Sequence, residues 1–396
     1  MTSTLQTGSR ISRPRSRSVN ATLAWAILLA LVLATQLAQG QTFTLLYAFG
    51  NGTDGGTPYA SLVLDSAGNL YGTTFAGGRG SAGTVFKLDT AGKETVLYNF
   101  KGGADGAYPF AGLVRGPGGG LFGTTVEGGA SNHGTVFKLS TTGKQTVLHS
   151  FKSQDGSYPD AGLLRDSAGN LYGATVEGGA SNLGTVFMLD TTGTQTVLHS
   201  FTGGTDGRFS YVYGSLVRDA AGNFYGTTLA GGASNQGIVF KLDTTGTETI
   251  LYNFTGGADG GYPYAGLVID KKGNLYGTTY LGGASGQGTV FKVNNAGKET
   301  VLYSFTGGAD GGNPTARLLR LNGNLYGTTY SGGASNSGVV FKLDATRKET
   351  VLHSFDYSND GGYPTARLIR DAAGNLYGTA SAGGASNHGT VFKLTP

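Results

Sequence analysis

Carboxylates make the first set of residues whose type and spacing could do chemistry. Glu127 and Glu177 hold equivalent places in two Val-Glu-Gly-Gly segments, and Asp160 falls between them in a different segment. Two or three acids brought together are what acid–base catalysis and glycoside cleavage require, so these three are the catalytic candidates. A second set is regular: an Asp-Gly pair recurs at Asp54, Asp105, Asp155, Asp206, Asp259, Asp310 and Asp360. Seven oxygen ligands around one mouth would suit calcium. The same carboxylates can instead accept hydrogen bonds from their own turns, and their uniformity favours that role.

A third set varies where the rest of the pattern repeats. One position reads Tyr59, Phe110, Asp160, Tyr213, Tyr264, Thr315 and Thr365, and two residues later it reads Ser61, Gly112, Gly162, Ser215, Gly266, Arg317 and Arg367. Strand alternation puts both positions on one side. Tyr59, Phe110, Tyr213 and Tyr264 could then stack sugar rings, or pack between neighbouring units, while Arg317 and Arg367 hold an anionic group. Arg208 opens a segment, residues 208–213, that is longer than its equivalents and lacks their proline. That segment is the one suited to reach over a site. Ser-Asn pairs such as Ser131-Asn132 and Ser386-Asn387 suit sugar hydroxyls or their own loops. His149, His199 and His353 stand where other copies have Tyr98, Tyr252 and Tyr303, and no Cys or spaced His pair suggests zinc.

The elements that must position these residues come from one repeat. The Phe of Gly-Thr-Val-Phe-Lys-Leu, or its close variant, falls at 86, 137, 187, 240, 291, 341 and 392, a spacing of 50 to 53 residues. Each copy carries four short β-type runs, as in AGLVID at 265–270, NLYGTT at 274–279, GTVFKV at 288–293 and, from the copy before, ETVLYNF at 248–254. Seven such units predict an all-β, seven-bladed β-propeller of four-stranded blades. Residues 42–49 match the fourth strand of the unit, whereas the last copy ends after its third, at 389–394. The N-terminal strand is therefore expected to pair into the last blade and close the ring.

Composition agrees with a glycine-turned repeat: 72 of 396 residues are Gly, none is Cys, and 38% are hydrophobic, enough to form a core. The formal charge of +4 comes from Arg10, Arg13, Arg15 and Arg17, so residues 41–396 are neutral overall and no nucleic-acid partner is expected. Those arginines precede an apolar run at 21–34 and the small residues Ala38 and Gly40, the layout of a secretory signal peptide over residues 1–40. The run falls short of the roughly 18 to 20 residues that span a bilayer. A cleaved, secreted propeller over 41–396, a monomer without membrane attachment, is the expectation.

The run YGTT, a Gly-Gly loop and then GTVFKL, in tandem across 41–396, resembles the GloVer-type tandem repeats of secreted bacterial proteins. That resemblance implies an extracellular repeat protein without a fixed biochemical activity. More distantly, GLV-D-x-x-GNLYG is similar to the NHL and virginiamycin-lyase-like propellers, which implies that AGLV lines the central channel and ETVLYNF forms the outer edge. The expected function is a non-enzymatic extracellular binding module for polysaccharide or another envelope component. The alternatives are a glycan-active lyase or hydrolase using Asp160, Glu127 and Glu177, and a structural or protein-binding propeller. No cofactor is expected, calcium being the one ion the Asp-Gly ring would suit.

Overall fold

Short runs rich in Val, Tyr, Phe and Thr, separated by glycine turns, favour antiparallel strands. In the computed structural model, which describes residues 1–2, 41–208 and 215–395, they form seven four-stranded sheets arranged as the blades of a ring. A strand at the N-terminus, β1 (Thr42–Ala48), precedes the first blade, which consists of β2 (Val63–Leu64), β3 (Leu70–Thr74), β4 (Thr84–Leu88) and β5 (Glu94–Asn99), paired in that order. In the last blade the order is β1, Thr390–Thr395, Leu376–Ala380 and Ile369–Arg370. The ring is thus closed by the N-terminal strand, and the protein is a seven-bladed all-β propeller, as its repeat predicts.

The core lies between blades. Phe49, Phe100, Phe151, Phe201, Phe254, Phe305 and Phe355, each just past an outer strand, are fully buried. Each meets the third-strand phenylalanine of the next blade edge to face, with centroids from 5.0 Å apart for Phe151–Phe187 to 5.5 Å for Phe201–Phe240. Room for that ring comes from a glycine on the second strand: a Cβ at Gly72 would lie 2.7 Å from Cζ of Phe86. No other residue fits there.

A second device joins the blades on one face. Thr57, Tyr108, Tyr158, Tyr262, Asn313 and Tyr363, each followed by proline, sit at φ of 53–58°. Each donates its amide across the junction, as Tyr108 does to the Ala82 carbonyl at 2.8 Å and Thr57 to that of His388 at 2.8 Å. Each carbonyl accepts from its own blade, as Tyr108 does from Val126 at 3.1 Å. The left-handed backbone is what lets one residue bond in both directions, at a conformational cost of order 1–3 kcal/mol. The proline then lies over the glycine that opens the preceding blade's third strand, and a Cβ on Gly83 would come within 2.6 Å of Cδ of Pro109.

Closure makes β1 structurally equivalent to an internal strand. Phe49→Ala should therefore cost about 3–5 kcal/mol in urea unfolding, as much as Phe100→Ala. Deletion of residues 41–50 should abolish the cooperative transition, and a truncated chain that still melted cooperatively would contradict the closed ring.

Candidate functional site

The innermost strands surround a central cavity of about 550 Å³. Its wall is built from the two variable positions identified above and from the short strand that follows them. Tyr59, Phe110 and Asp160 line it from the first three blades, Ser215 from the fourth, and Arg317 and Arg367 from the sixth and seventh. The two aromatic residues form one cluster with Phe75: Tyr59 lies 4.8 Å from Phe110 and 5.6 Å from Phe75, centroid to centroid. Backbone contacts pin this wall across the closure, with Thr365 Oγ1 donating to the Tyr59 carbonyl at 3.3 Å and the Arg367 amide to Ser61 Oγ at 3.1 Å.

Next to this wall, across the closure, the cavity is positively charged. Burial, and then the neighbouring Arg367, pulls the Arg317 guanidinium down to about 9, and burial lowers Arg367 in the same direction. Arg115, Arg165 and Arg370 line the cavity further along. Considering only the two variable positions overlooks these three, although the residue just before the turn reads Arg115, Arg165, Arg218, Arg320 and Arg370 in five copies. Several of these arginines also serve the fold: Arg115 lies over the Tyr71 ring at 5.7 Å, Arg218 over Tyr172 at 5.5 Å and Arg320 over Tyr276 at 5.5 Å.

Other candidates lie elsewhere. Tyr264 packs on Tyr280 at 5.0 Å and is not among the lining residues. Arg208 reaches Asn235 Oδ1 at 3.0 Å, in a Ser-Asn loop rather than the cavity. Tyr213 and most of the long segment after Arg208 lie outside the described residues. Glu127 and Glu177 are not among the lining residues either; they pair with Ala107 and Ser157, next to the Asp-Gly turns. The three catalytic candidates are therefore not gathered on one wall. Asn132, Asn182, Asn235 and Asn336 direct their amide oxygens to glycine N–H groups of their own loops, Asn132 to Gly128 at 2.9 Å.

The Asp-Gly carboxylates do not ring the mouth, as the strand order alone suggested. They sit between the outer strands of adjacent blades. Asp54, Asp105, Asp259 and Asp310 accept from Tyr47, Tyr98, Tyr252 and Tyr303 hydroxyls at 2.8–3.1 Å. Asp155, Asp206 and Asp360 face His149, His199 and His353 at 3.2, 3.1 and 2.7 Å. Most also accept from their own turn, Asp54 from Gly50 N at 2.7 Å and Asp206 from Thr202 N at 2.6 Å. The reason is packing: the outer strand of the following blade closes over each turn, and Gln145 Nε2 donates to the Asp105 carbonyl at 3.0 Å.

At four junctions that strand brings a glutamate. Burial, and then the adjacent aspartate, raises Glu94, Glu299 and Glu349 from 4.5 to about 7, with Asp54, Asp259 and Asp310 as the respective neighbours. Burial, and then Asp206, raises Glu248 to about 9. His199, Asp206 and Glu248 have ligand atoms within 4.8 Å of one another, the one set among the described residues able to offer a metal three such groups.

Compared with known proteins, residues 32–212 and 211–396 match the family model described as the Gloeobacter/Verrucomicrobia repeat. None of the curated proteins matches the chain. Among solved structures, the extracellular domain of a protein described as a one-component system of B. thetaiotaomicron aligns with a TM-score of 0.54 at 14% identity over 90% of this chain. This chain spans 42% of that one's length. A protein of Bacteroides uniformis designated a 6-phosphogluconolactonase aligns with a TM-score of 0.52 at 17% identity, over 79% of this chain and 88% of its own. Both likenesses are of fold.

The raised glutamates give the ring a pH dependence of definite sign. A carboxyl held above its ordinary value keeps a proton that the unfolded chain would release, so its stabilisation is full below about 4.5 and is lost as pH rises through 7 and, for Glu248, 9. The Tm should fall between pH 5 and about 9.5. Replacing Glu94, Glu248, Glu299 and Glu349 with Gln, the residue already present at 145 and 195, should flatten that slope. An unchanged slope in the variant would assign it to other groups.

Proposed function

We propose, from the premise that the chain belongs to the Gloeobacter/Verrucomicrobia repeat family, that it is an exported propeller that binds an oligosaccharide segment of an extracellular or envelope polysaccharide in its central channel. The observation that carries this reading is the aromatic wall of Tyr59 and Phe110 beside the polar groups of Ser61, Asp160 and Ser215 in one cavity. Sugar rings present an apolar face and an edge of hydroxyls, and this pairing of a flat hydrophobic surface with short polar side chains suits both.

Binding is a better account of the site than hydrolysis. Glycosidic cleavage needs two carboxyl groups flanking one bond. Asp160 is the one acid among the cavity-lining residues, whereas Glu127 and Glu177 pair with Ala107 and Ser157 and do not line the cavity. Export rests on the sequence of residues 1–40, with cleavage after Gly40. No helix among the described residues is long and apolar enough to cross a membrane.

A thermal-shift screen of residues 41–396 against soluble oligosaccharides and polysaccharides tests the proposal. Ligands that raise the Tm of the parent protein should bind Tyr59→Ala and Phe110→Ala roughly tenfold more weakly, the order expected from losing one aromatic contact. Since both rings also pack on Phe75, the comparison uses Kd values measured well below each variant's own Tm. The absence of a shift with every glycan would remove the sugar-binding reading.

A further inference from the structure

The cavity wall carries Arg115, Arg165, Arg317, Arg367 and Arg370 against the single acid Asp160. Two of these arginines stand out. Arg317 and Arg367 come from adjacent blades, and neither has a carboxylate within ion-pairing distance among the described residues. The Nε atom of each is buried without a hydrogen-bond partner. Both side chains are half-buried at the cavity wall, and two like charges held side by side there, each with an unused Nε donor, are stabilised by an anion that joins them.

The fold does not need them there. The same ring position is Ser61, Gly112, Gly162, Ser215 and Gly266 in the other five blades. Adjacent members approach closely: a Cβ on Gly112 would lie 3.0 Å from the Ser61 carbonyl oxygen, and one on Gly162 would lie 2.6 Å from Ser215 Oγ. This level of the channel is therefore built for small residues, and the two long cations are departures that packing alone does not call for. Their guanidinium groups offer planar, two-pronged donors that match a carboxylate.

Arg115, Arg165 and Arg370 repeat the charge at a second level. Arg370 follows Arg367 by three residues, which places the levels at most about 10 Å apart along the channel. The hydrogen bonds of Arg115 and Arg165 go to main-chain oxygens, those of Leu64 at 3.4 Å and Asp166 at 3.5 Å, and neither has an ion-pair partner among the described residues.

We propose that the channel selects an acidic oligosaccharide of the uronate class, with one carboxylate seated between Arg317 and Arg367 and a second reaching the Arg115, Arg165 and Arg370 level. This inference rests on the glycan-binding reading and narrows it. The aromatic wall favours a sugar chain over a small free anion, because it supplies contact area that an isolated phosphate or sulfate cannot use.

The test is calorimetric titration of residues 41–396 with four probes of matched length: an oligogalacturonate, a sulfated oligosaccharide, a neutral glucan oligomer and a single-stranded oligodeoxynucleotide. The oligogalacturonate is expected to bind at least about tenfold more tightly than the neutral oligomer at low salt, and to lose most of that advantage as salt screens the arginines. Arg317→Met and Arg367→Met should each abolish the preference for the acidic oligomer over the neutral one. Arg317→Lys, which keeps charge but loses the fork, should weaken it partly. Equal affinity for acidic and neutral oligomers would overturn the inference and leave glycan binding standing. No binding of either would sink both readings. Preference for the sulfated probe would reassign the anion, and preference for the oligonucleotide would replace the ligand class. An acidic preference that survives in both Met variants would move the site away from this pair. The wild-type comparison decides even if a variant folds poorly.

Discussion

Seven edge-to-face contacts between phenylalanines set the geometry of this ring. Each joins the end of one blade's outer strand to the third strand of the next, at interplanar angles of 67–72°. The pair fixes the spacing between sheets, and seven equal spacings close a circle. Much of the consensus then follows as a consequence. Glycine must stand on the second strand where the ring presses, since a Cβ would approach Cζ to 2.5–2.8 Å in every blade. Leucine or valine must fill the remaining space, as Leu62, Leu70 and Leu88 do beside Phe49 and Phe86. A hydrophobic core divided into seven identical junctions is also why no single large interior is needed.

Two further layers of bonding flank that core, and they differ in kind. Toward the channel, the left-handed residues before proline trade local strain for paired backbone hydrogen bonds, so the face bearing the cavity is held by main chain rather than by side-chain identity. Tyr, Thr and Asn can all occupy the position for that reason, as Tyr108, Thr57 and Asn313 do. Toward the rim, charge does the joining. An aspartate caps its own turn, an aromatic or imidazole from the preceding outer strand meets it, and the following strand supplies Glu or Gln. Where the N-terminal strand takes this place it brings Phe43, which stacks on His353 at 3.8 Å. The closing blade thus substitutes ring stacking for the acid pair.

The fold was legible because periodicity reports it directly: a seven-times repeated phenylalanine counts the blades, and a missing fourth strand at one end matched by a spare one at the other locates the closure. The site was legible only in part. Tyr59 and Tyr264 are indistinguishable in the repeat, yet only the first lines the cavity, because what surrounds each depends on the neighbouring blades. The Asp-Gly turns were placed at the wrong radius for a related reason. Their partners lie seven residues earlier, as Tyr98 does for Asp105, and 40 residues later, as Gln145 does. Neither separation signals contact until blades are packed. The left-handed tyrosines could not be foreseen either, since a residue before proline ordinarily takes an extended conformation.

A ring held by recurring junctions leaves one surface that no junction uses. Phenylalanine pairs and turn aspartates constrain residues that face a neighbouring blade in all seven copies, and proline latches do so in six. The inner strand faces the axis, where the symmetric requirement is only that the constriction contain small groups. Arg317 and Arg367 stand at two adjacent positions of that ring, with Gly266 in the blade before them and Ser61 in the blade after. Asymmetry in the channel is therefore not a loosening of the repeat. It is a place where a change of residue alters what the propeller can hold without altering how it is held together.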